Sequence, residues 1–132
     1  MSRLTERIQN FNKIYKLFDI AQKSYIKNPQ DEISKLAIVQ AFEMVYELGW
    51  KVIKDYLNTK AIETYTPKDT IKSAFGANIL PSAQIWIDMA QDRNASSHEY
   101  NDDKINVILQ KISTVYYEEL KRFKDNLGDF DE

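Results

Sequence analysis

Cysteine is absent from the 132-residue chain, and histidine occurs once. Without thiols there is no disulfide framework, no thiolate metal site and no cysteine nucleophile. A single imidazole argues against a histidine-based metal centre within one chain, so any metal would need carboxylates, and no cofactor is expected. Glycine and proline are scarce, with 3 of each. That is too few for the turns of an all-β chain and favours long helices. Long apolar runs are missing too: nothing approaches the roughly 18 residues of a membrane span, and Met1-Ser2-Arg3-Leu4-Thr5-Glu6-Arg7 lacks the apolar centre of a secretion signal. The expectation is a cytoplasmic protein without a membrane partner. Positive charge is not in excess. A formal net charge of −2 and a pI near 5.5 argue against coating nucleic acid by bulk electrostatics, so any RNA contact has to come from a local patch. No glycine-rich phosphate loop is present, which argues against nucleotide binding of the Walker or dinucleotide type.

What is present describes one globular domain, with 43% hydrophobic and 29% charged residues. From Leu4 to Tyr25 the residues Leu4, Ile8, Phe11, Tyr15, Phe18 and Tyr25 recur at steps of three, four and seven, as one buried helix face requires. Asn28-Pro29-Gln30-Asp31 interrupts the pattern and supplies Asn or Asp as a cap. A second helix follows to about Asn58, with Ile33, Leu36, Ala37, Ala41, Met44, Val45, Leu48, Val52 and Tyr56 as its stripe. Gly49 lies inside it at a cost of roughly 1 kcal/mol relative to alanine, which points to close helix packing or a partner near the backbone.

Thr59 to Tyr65 has no period and is read as a loop. Thr66-Pro67-Lys68-Asp69 then opens a short helix to about Phe75, with Thr66 as cap and proline at the first position. After Gly76-Ala77-Asn78, the segment from Pro81 presents Ile85, Trp86, Met89 and Ala90 on one face and Ile87 on another. A helix apolar on two faces needs two partners, the core and a second subunit. Asn101-Asp102-Asp103 caps a last long helix with the stripe Ile105, Ile108, Leu109, Ile112, Tyr116, Leu120 and Phe123. Three long helices plus the Pro81 helix predict an all-α, up-and-down four-helix bundle over residues 1–125, with the Pro67 helix as a short extra. Residues 126–132 are read as an acidic, flexible tail. Within it, Asp129-Phe130-Asp131 has the form of a magnesium-binding carboxylate pair but lacks the strand and Gly-Ser loop such a pair needs.

One stretch gathers the chemistry: Asp92-Arg93-Asn94-Ala95-Ser96-Ser97-His98-Glu99-Tyr100. A guanidinium forks onto phosphate, and an imidazole moves a proton near neutral pH, so the pair suits a phosphodiester. A lone histidine beside Asn101-Asp102-Asp103 also fits a capping or surface role. On a regular helix Asn94, His98 and Asn101 form one row and Arg93, Ser97 and Tyr100 the next, with Arg93 and His98 about 140° apart. Either the helix unwinds near Ser96 or the two groups meet across a subunit interface. A two-fold dimer would also supply the second imidazole that acid–base cleavage of RNA requires.

The stretch fits the Arg-x4-His-x-Tyr pattern of the HEPN superfamily, with Asn94 as the polar residue directly after the arginine. More narrowly, the chain resembles the nucleotidyltransferase substrate-binding protein family over nearly its whole length. The resemblance runs through Phe42-Glu43 to Glu47-Leu48-Gly49-Trp50-Lys51, Thr66-Pro67-Lys68 to Ala74-Phe75, and Trp86 to Arg93-Asn94 and His98-Glu99-Tyr100. It implies a HEPN-like helical homodimer whose two motifs share a cleft for RNA or a nucleotide, and a separately encoded minimal nucleotidyltransferase as partner in a toxin–antitoxin-like module. It further implies a metal-independent endoribonuclease with Arg93 and His98 as catalytic residues and Asn94 orienting them. Tyr100 would be the site of silencing nucleotidylation, and Asp92, Ser97 and Asn101 would support the site. The alternative is a non-catalytic nucleotide- or substrate-binding subunit of the nucleotidyltransferase, and a third reading is a structural assembly module.

Overall fold

A computed structural model describes residues 2–98 and 102–130, with the side chains of Ser97, His98 and Asp102 excepted. Every regular element in it is helical: α1 Arg3–Lys27, α2 Glu32–Thr59, α3 Pro67–Gly76, α4 Ala83–His98, α5 Asp102–Lys111 and α6 Tyr117–Asp125. A π-helical turn, Ile112–Tyr116, joins α5 to α6 as one rod, and a 3-10 turn, Leu127–Asp129, follows.

The ends are set by local chemistry. Ser2 Oγ accepts the amide of Thr5, Asp31 Oδ2 the amide of Ser34 at 2.8 Å, and Thr66 Oγ1 the amide of Asp69. Asp69 reaches back to the amide of Tyr65 at 3.3 Å, closing a reciprocal cap around Pro67. Asp31 is thus the cap of α2, whereas Asn28 ends α1 by donating its amide to the Ser24 carbonyl. Ala61 and Asn78 terminate α2 and α3 in the left-handed region, both at φ 61°, and the amides of Ile62 and Ile79 then return to the carbonyls of Leu57 and Ala74.

Long-range pairs fix the topology. Arg7 meets Asp55 and Ser24 meets Ser34, so α1 and α2 are antiparallel. Gly49 meets Trp86 and Glu43 meets Ser96, so α4 runs against α2. Glu119 meets Trp86 and Tyr116 meets Asp92, so the C-terminal rod runs against α4 and, through Phe11–Phe123 and Gln22–Ser113, against α1. The expected up-and-down four-helix bundle with one short extra helix is what the chain forms.

Gly49 marks its tightest crossing. An added Cβ there would lie 3.2 and 3.3 Å from Trp86 Cη2 and Cζ3 and 3.4 Å from Phe11 Cε2. The missing side chain lets α2 approach the indole, which is fully buried and donates Nε1–H to Glu119 Oε2 at 2.7 Å. Arg122 completes that buried carboxylate from the other side, with Nε on Oε1 at 2.8 Å and a terminal nitrogen on Oε2 at 2.7 Å. The pairing pushes the Arg122 pKa up, against a smaller downward effect of burial.

The stripe expected for α2 is only half correct. Ala41, Val45 and Val52 are buried, but Ile33, Leu36, Ala37 and Met44 face solvent, and the core face instead carries Ile38, Val39, Phe42, Tyr46 and Ile53. The first half of α2 is apolar on both sides. The reverse holds for α4. Trp86 and Met89 are buried and Ile85, Ile87 and Ala90 are half-buried against the core of the same chain, so both of its apolar faces rest at least in part on that core. The last stripe is buried as expected, apart from a half-buried Ile105. Leu127 and Phe130, in the segment read as an acidic tail, are also buried; the Phe130 ring stacks on Tyr56 at 4.5 Å and meets Phe123 edge-on at 5.7 Å.

Why the rod opens into a π turn is visible in its hydrogen bonds. The hydroxyls of Ser113 and Thr114 both return to the Gln110 carbonyl, and the Ser113 carbonyl is taken by Gln22 Nε2 at 2.8 Å.

Candidate functional site

The last turns of α4 carry Asp92, Arg93, Asn94 and Ser96. The helix stays regular through His98, so the unwinding near Ser96 considered above does not occur. Tyr100 and Asn101 lie outside the described residues, as do the side chains of Ser97 and His98. What the structure shows is how the turn bearing Arg93 is held.

Two fastenings, one helical turn apart on the same face of α4, hold it to two different elements. Ser96 is buried and donates its hydroxyl to Glu43 Oε2 of α2 at 2.7 Å, its oxygen also lying 3.0 Å from the Arg93 carbonyl. Asp92 Oδ2 accepts a hydrogen bond from the Tyr116 hydroxyl and another from Lys111 Nζ at 3.3 Å, both from the C-terminal rod. Burial pushes the Tyr116 hydroxyl pKa far up, and its bond to Asp92 adds to the effect, so this phenol remains a donor at any physiological pH. The Tyr116 ring is fixed in turn by stacking on Phe42 at 5.4 Å and 12°.

Between these fastenings Asn94 is exposed and Arg93 is half-buried. The positive charge of Arg93 is felt at the buried Tyr46 hydroxyl: burial and Glu47 drive that phenol's pKa up, and Arg93 partly opposes them. The guanidinium does not stand clear in solvent, since its Nε atom is buried. A half-buried guanidinium near an exposed amide and two hydrogen-bonded carboxylates has the chemistry to hold a phosphate-bearing group. Among the described residues no group of three acidic or imidazole side chains could hold a metal ion, and no helix is long and apolar enough to cross a membrane.

Comparison with known proteins gives this geometry a context. The model of the family described as "Nucleotidyltransferase substrate binding protein like" matches residues 6–129. The chain belongs to that family. A curated relative from Haemophilus influenzae named "Probable ribonuclease HepT" is 32% identical over a 79-residue alignment that covers 56% of this chain. The chain spans about half of that relative, 54% of its length. A crystal structure of a protein from Thermus thermophilus superposes with a TM-score of 0.69, covering 87% of this chain and 99% of the other at 23% identity. That likeness establishes the fold.

The sequence reading brought Asp92, Arg93 and Asn94 to one turn, as the structure does. It missed three groups that act on that turn. Glu43 was read only as part of a family signature, although an acid bordered by Phe42 and Met44 on a largely apolar helix needs a partner. Tyr116 was placed in the core on periodicity alone, which says nothing of its hydroxyl. Lys111 carried no signal beyond its place in the last turn of α5.

Proposed function

We propose that this chain is the HEPN-type partner of a minimal nucleotidyltransferase and a metal-independent endoribonuclease. Arg93 and His98 would carry the chemistry at a dimer cleft, with Asn94 orienting them. One imidazole takes the proton of a ribose 2′-hydroxyl as its oxygen attacks phosphorus; the partner's His98 returns a proton to the departing 5′-oxygen, while Arg93 balances charge on the phosphate oxygens. A cyclic phosphate and a free 5′-hydroxyl are the products. Nucleotidylation of Tyr100 would place a phosphate charge within reach of Arg93 and silence the cleft.

The observation that carries this reading is the Arg93-x4-His98-x-Tyr100 sequence motif, whose arginine stands on a turn of α4 fastened to two other elements, in a chain whose family membership spans residues 6–129. The dimer face we propose is the stripe on α2 and α5. Ile33, Leu36 and Met44 are exposed on α2, at 72%, 47% and 47%, and a cavity lined by Ile33, Leu36, Ile105 and Asn106 joins them to α5. The stripe ends beside Glu43, and so beside the fastened turn. A stable dimer on it would bury on the order of 1,500 Å², and a monomer in sedimentation at low micromolar concentration would remove the shared cleft.

The decisive assay is RNA cleavage in excess EDTA. Wild type should cleave, and Arg93→Ala and His98→Ala should each lose the activity by a factor of roughly 100 or more while remaining folded. The family's own description favours a second reading, a non-catalytic subunit that presents a nucleotide or phosphorylated substrate to the nucleotidyltransferase. That reading wins if no variant cleaves RNA, all bind nucleotide, and His98→Ala binds as wild type does. The Tyr100 step is tested with the nucleotidyltransferase, a nucleoside triphosphate and magnesium: nucleotide mass should be added to wild type and not to Tyr100→Phe.

A further inference from the structure

Two residues of the C-terminal rod stand against the turn that carries Arg93, and neither belongs to the motif. Tyr116 and Lys111 converge on the same oxygen, Oδ2 of Asp92. Asp92 directly precedes Arg93, and its side chain is only 15% exposed. Left to itself, such a carboxylate has two damaging options. It can fold over onto the neighbouring guanidinium and neutralise it, or it can project negative charge where a phosphate must come.

The contacts block both. A phenol hydroxyl and an ammonium hold the carboxylate against the rod, and stacking on Phe42 with 2% exposure leaves the phenol ring no room to swing. Phe42 directly precedes Glu43, which holds Ser96 one turn further along α4. The aromatic stack therefore links the two fastenings into one frame across α2, α4 and the rod.

We propose that Tyr116 and Lys111 are positioning residues for the Arg93 site. Tyr116 sets the direction in which Arg93 leaves α4 by fixing Asp92, and Lys111 offsets the Asp92 charge for an incoming anion. The inference rests on the phosphate-directed reading of Arg93 given above.

Two readouts separate its failure from the failure of that reading. The first is the side-chain Nε–H resonance of Arg93 in ¹H–¹⁵N spectra, assigned by its loss in Arg93→Lys. Tyr116→Phe keeps the stacked ring and removes only the hydroxyl, and it should move or broaden that resonance. Tyr117→Phe is the matched control: it removes a tyrosine–aspartate bond on the same rod, the 2.6 Å bond to Asp19, and should leave the resonance where it is. The second readout is cleavage of a single-stranded RNA. Tyr116→Phe should lower kcat roughly tenfold or more with KM unchanged, whereas Lys111→Met, an exposed change that does not threaten folding, should raise KM and leave kcat.

If Tyr116→Phe matches wild type in the resonance, the positioning role is overturned whatever the chain binds. If the resonance moves but Arg93→Ala cleaves as wild type does, the ribonuclease reading fails and the positioning of Arg93 stands. If Tyr116→Phe and Tyr117→Phe lower kcat alike, Tyr116 is only a structural residue and the proposal falls.

Discussion

Substituting Gly49 by alanine should destabilise the protein, and the same substitution should become favourable once Trp86 is shortened. In an unencumbered helix, Gly→Ala gains about 1 kcal/mol, and burying the new methyl adds about 0.8 kcal/mol. Here that methyl lies 3.2 and 3.3 Å from the indole and 3.4 Å from Phe11. The indole has nowhere to go, being fully buried, bonded to Glu119 and set edge-on to Phe123 at 5.0 Å. Overpacking costs roughly 1–3 kcal/mol, and a ring that cannot yield puts this case at the upper end, so the net effect is a loss of about 1 kcal/mol. Trp86→Phe removes the ring atoms in question and the donor to Glu119, at a cost of about 3 kcal/mol. In that background the alanine methyl enters space the indole has vacated, and Gly49→Ala should stabilise by about 1 kcal/mol. The coupling is then about 2 kcal/mol and compensatory, measured by urea unfolding followed by far-UV circular dichroism for the four proteins of the cycle. Additivity within about 0.5 kcal/mol would refute the reasoning and show that the ring yields.

Three further outcomes follow from the same structure. Ala61→Gly should raise stability by about 0.5–1 kcal/mol, because the residue holds φ 61° at the end of α2; a lower urea midpoint would contradict this. Arg7→Met should cost about 2 kcal/mol, since it leaves the 9%-exposed Asp55 carboxylate without its 2.9 Å partner, and Asp55→Asn in that background should recover part of the loss. Asp19 has its pKa lowered from 3.8 by bonds from Lys23 and Tyr117. The stability this confers is present above pH 3.8 and lost as pH falls through the folded-state value, so the gap between wild type and Tyr117→Phe should close in acid; a gap that widens below pH 3.8 would contradict it.

The bundle was legible because its strongest signals are local. Caps at Asp31 and Thr66 and the stripes of α1 and the C-terminal rod follow from residue chemistry and a 3.6-residue period. The α2 stripe was misphased because Ile33, Leu36 and Met44 are as apolar as the residues that are buried, and periodicity cannot rank two apolar faces of one helix. For the same reason the second apolar face of α4 was assigned to a partner, although Ile87 is half-buried against the core of its own chain. The site was legible as a cluster of residue types. Its supports were not, since Asp92 is joined to Lys111 and Tyr116 only by the return of the chain 19 and 24 residues later. The π turn did leave a trace: Ile108, Ile112, Tyr116 and Leu120 are separated by three successive steps of four, a longer period than an α-helix keeps.

That turn means the C-terminal rod carries one residue more than its packing requires. The surplus bulges outward at Ser113, Thr114 and Val115, which are half-buried or exposed, while Ile112 and Tyr116 on either side stay inside. Removing one residue from this stretch would shorten the step from Ile112 to Tyr116 from four to three and return the rod to an ordinary alternation of threes and fours, with Leu120 and Phe123 still facing inward. A relative one residue shorter here can therefore keep every core contact of the bundle. What it would give up is the opened Ser113 carbonyl and, with it, the tie to Gln22 on α1.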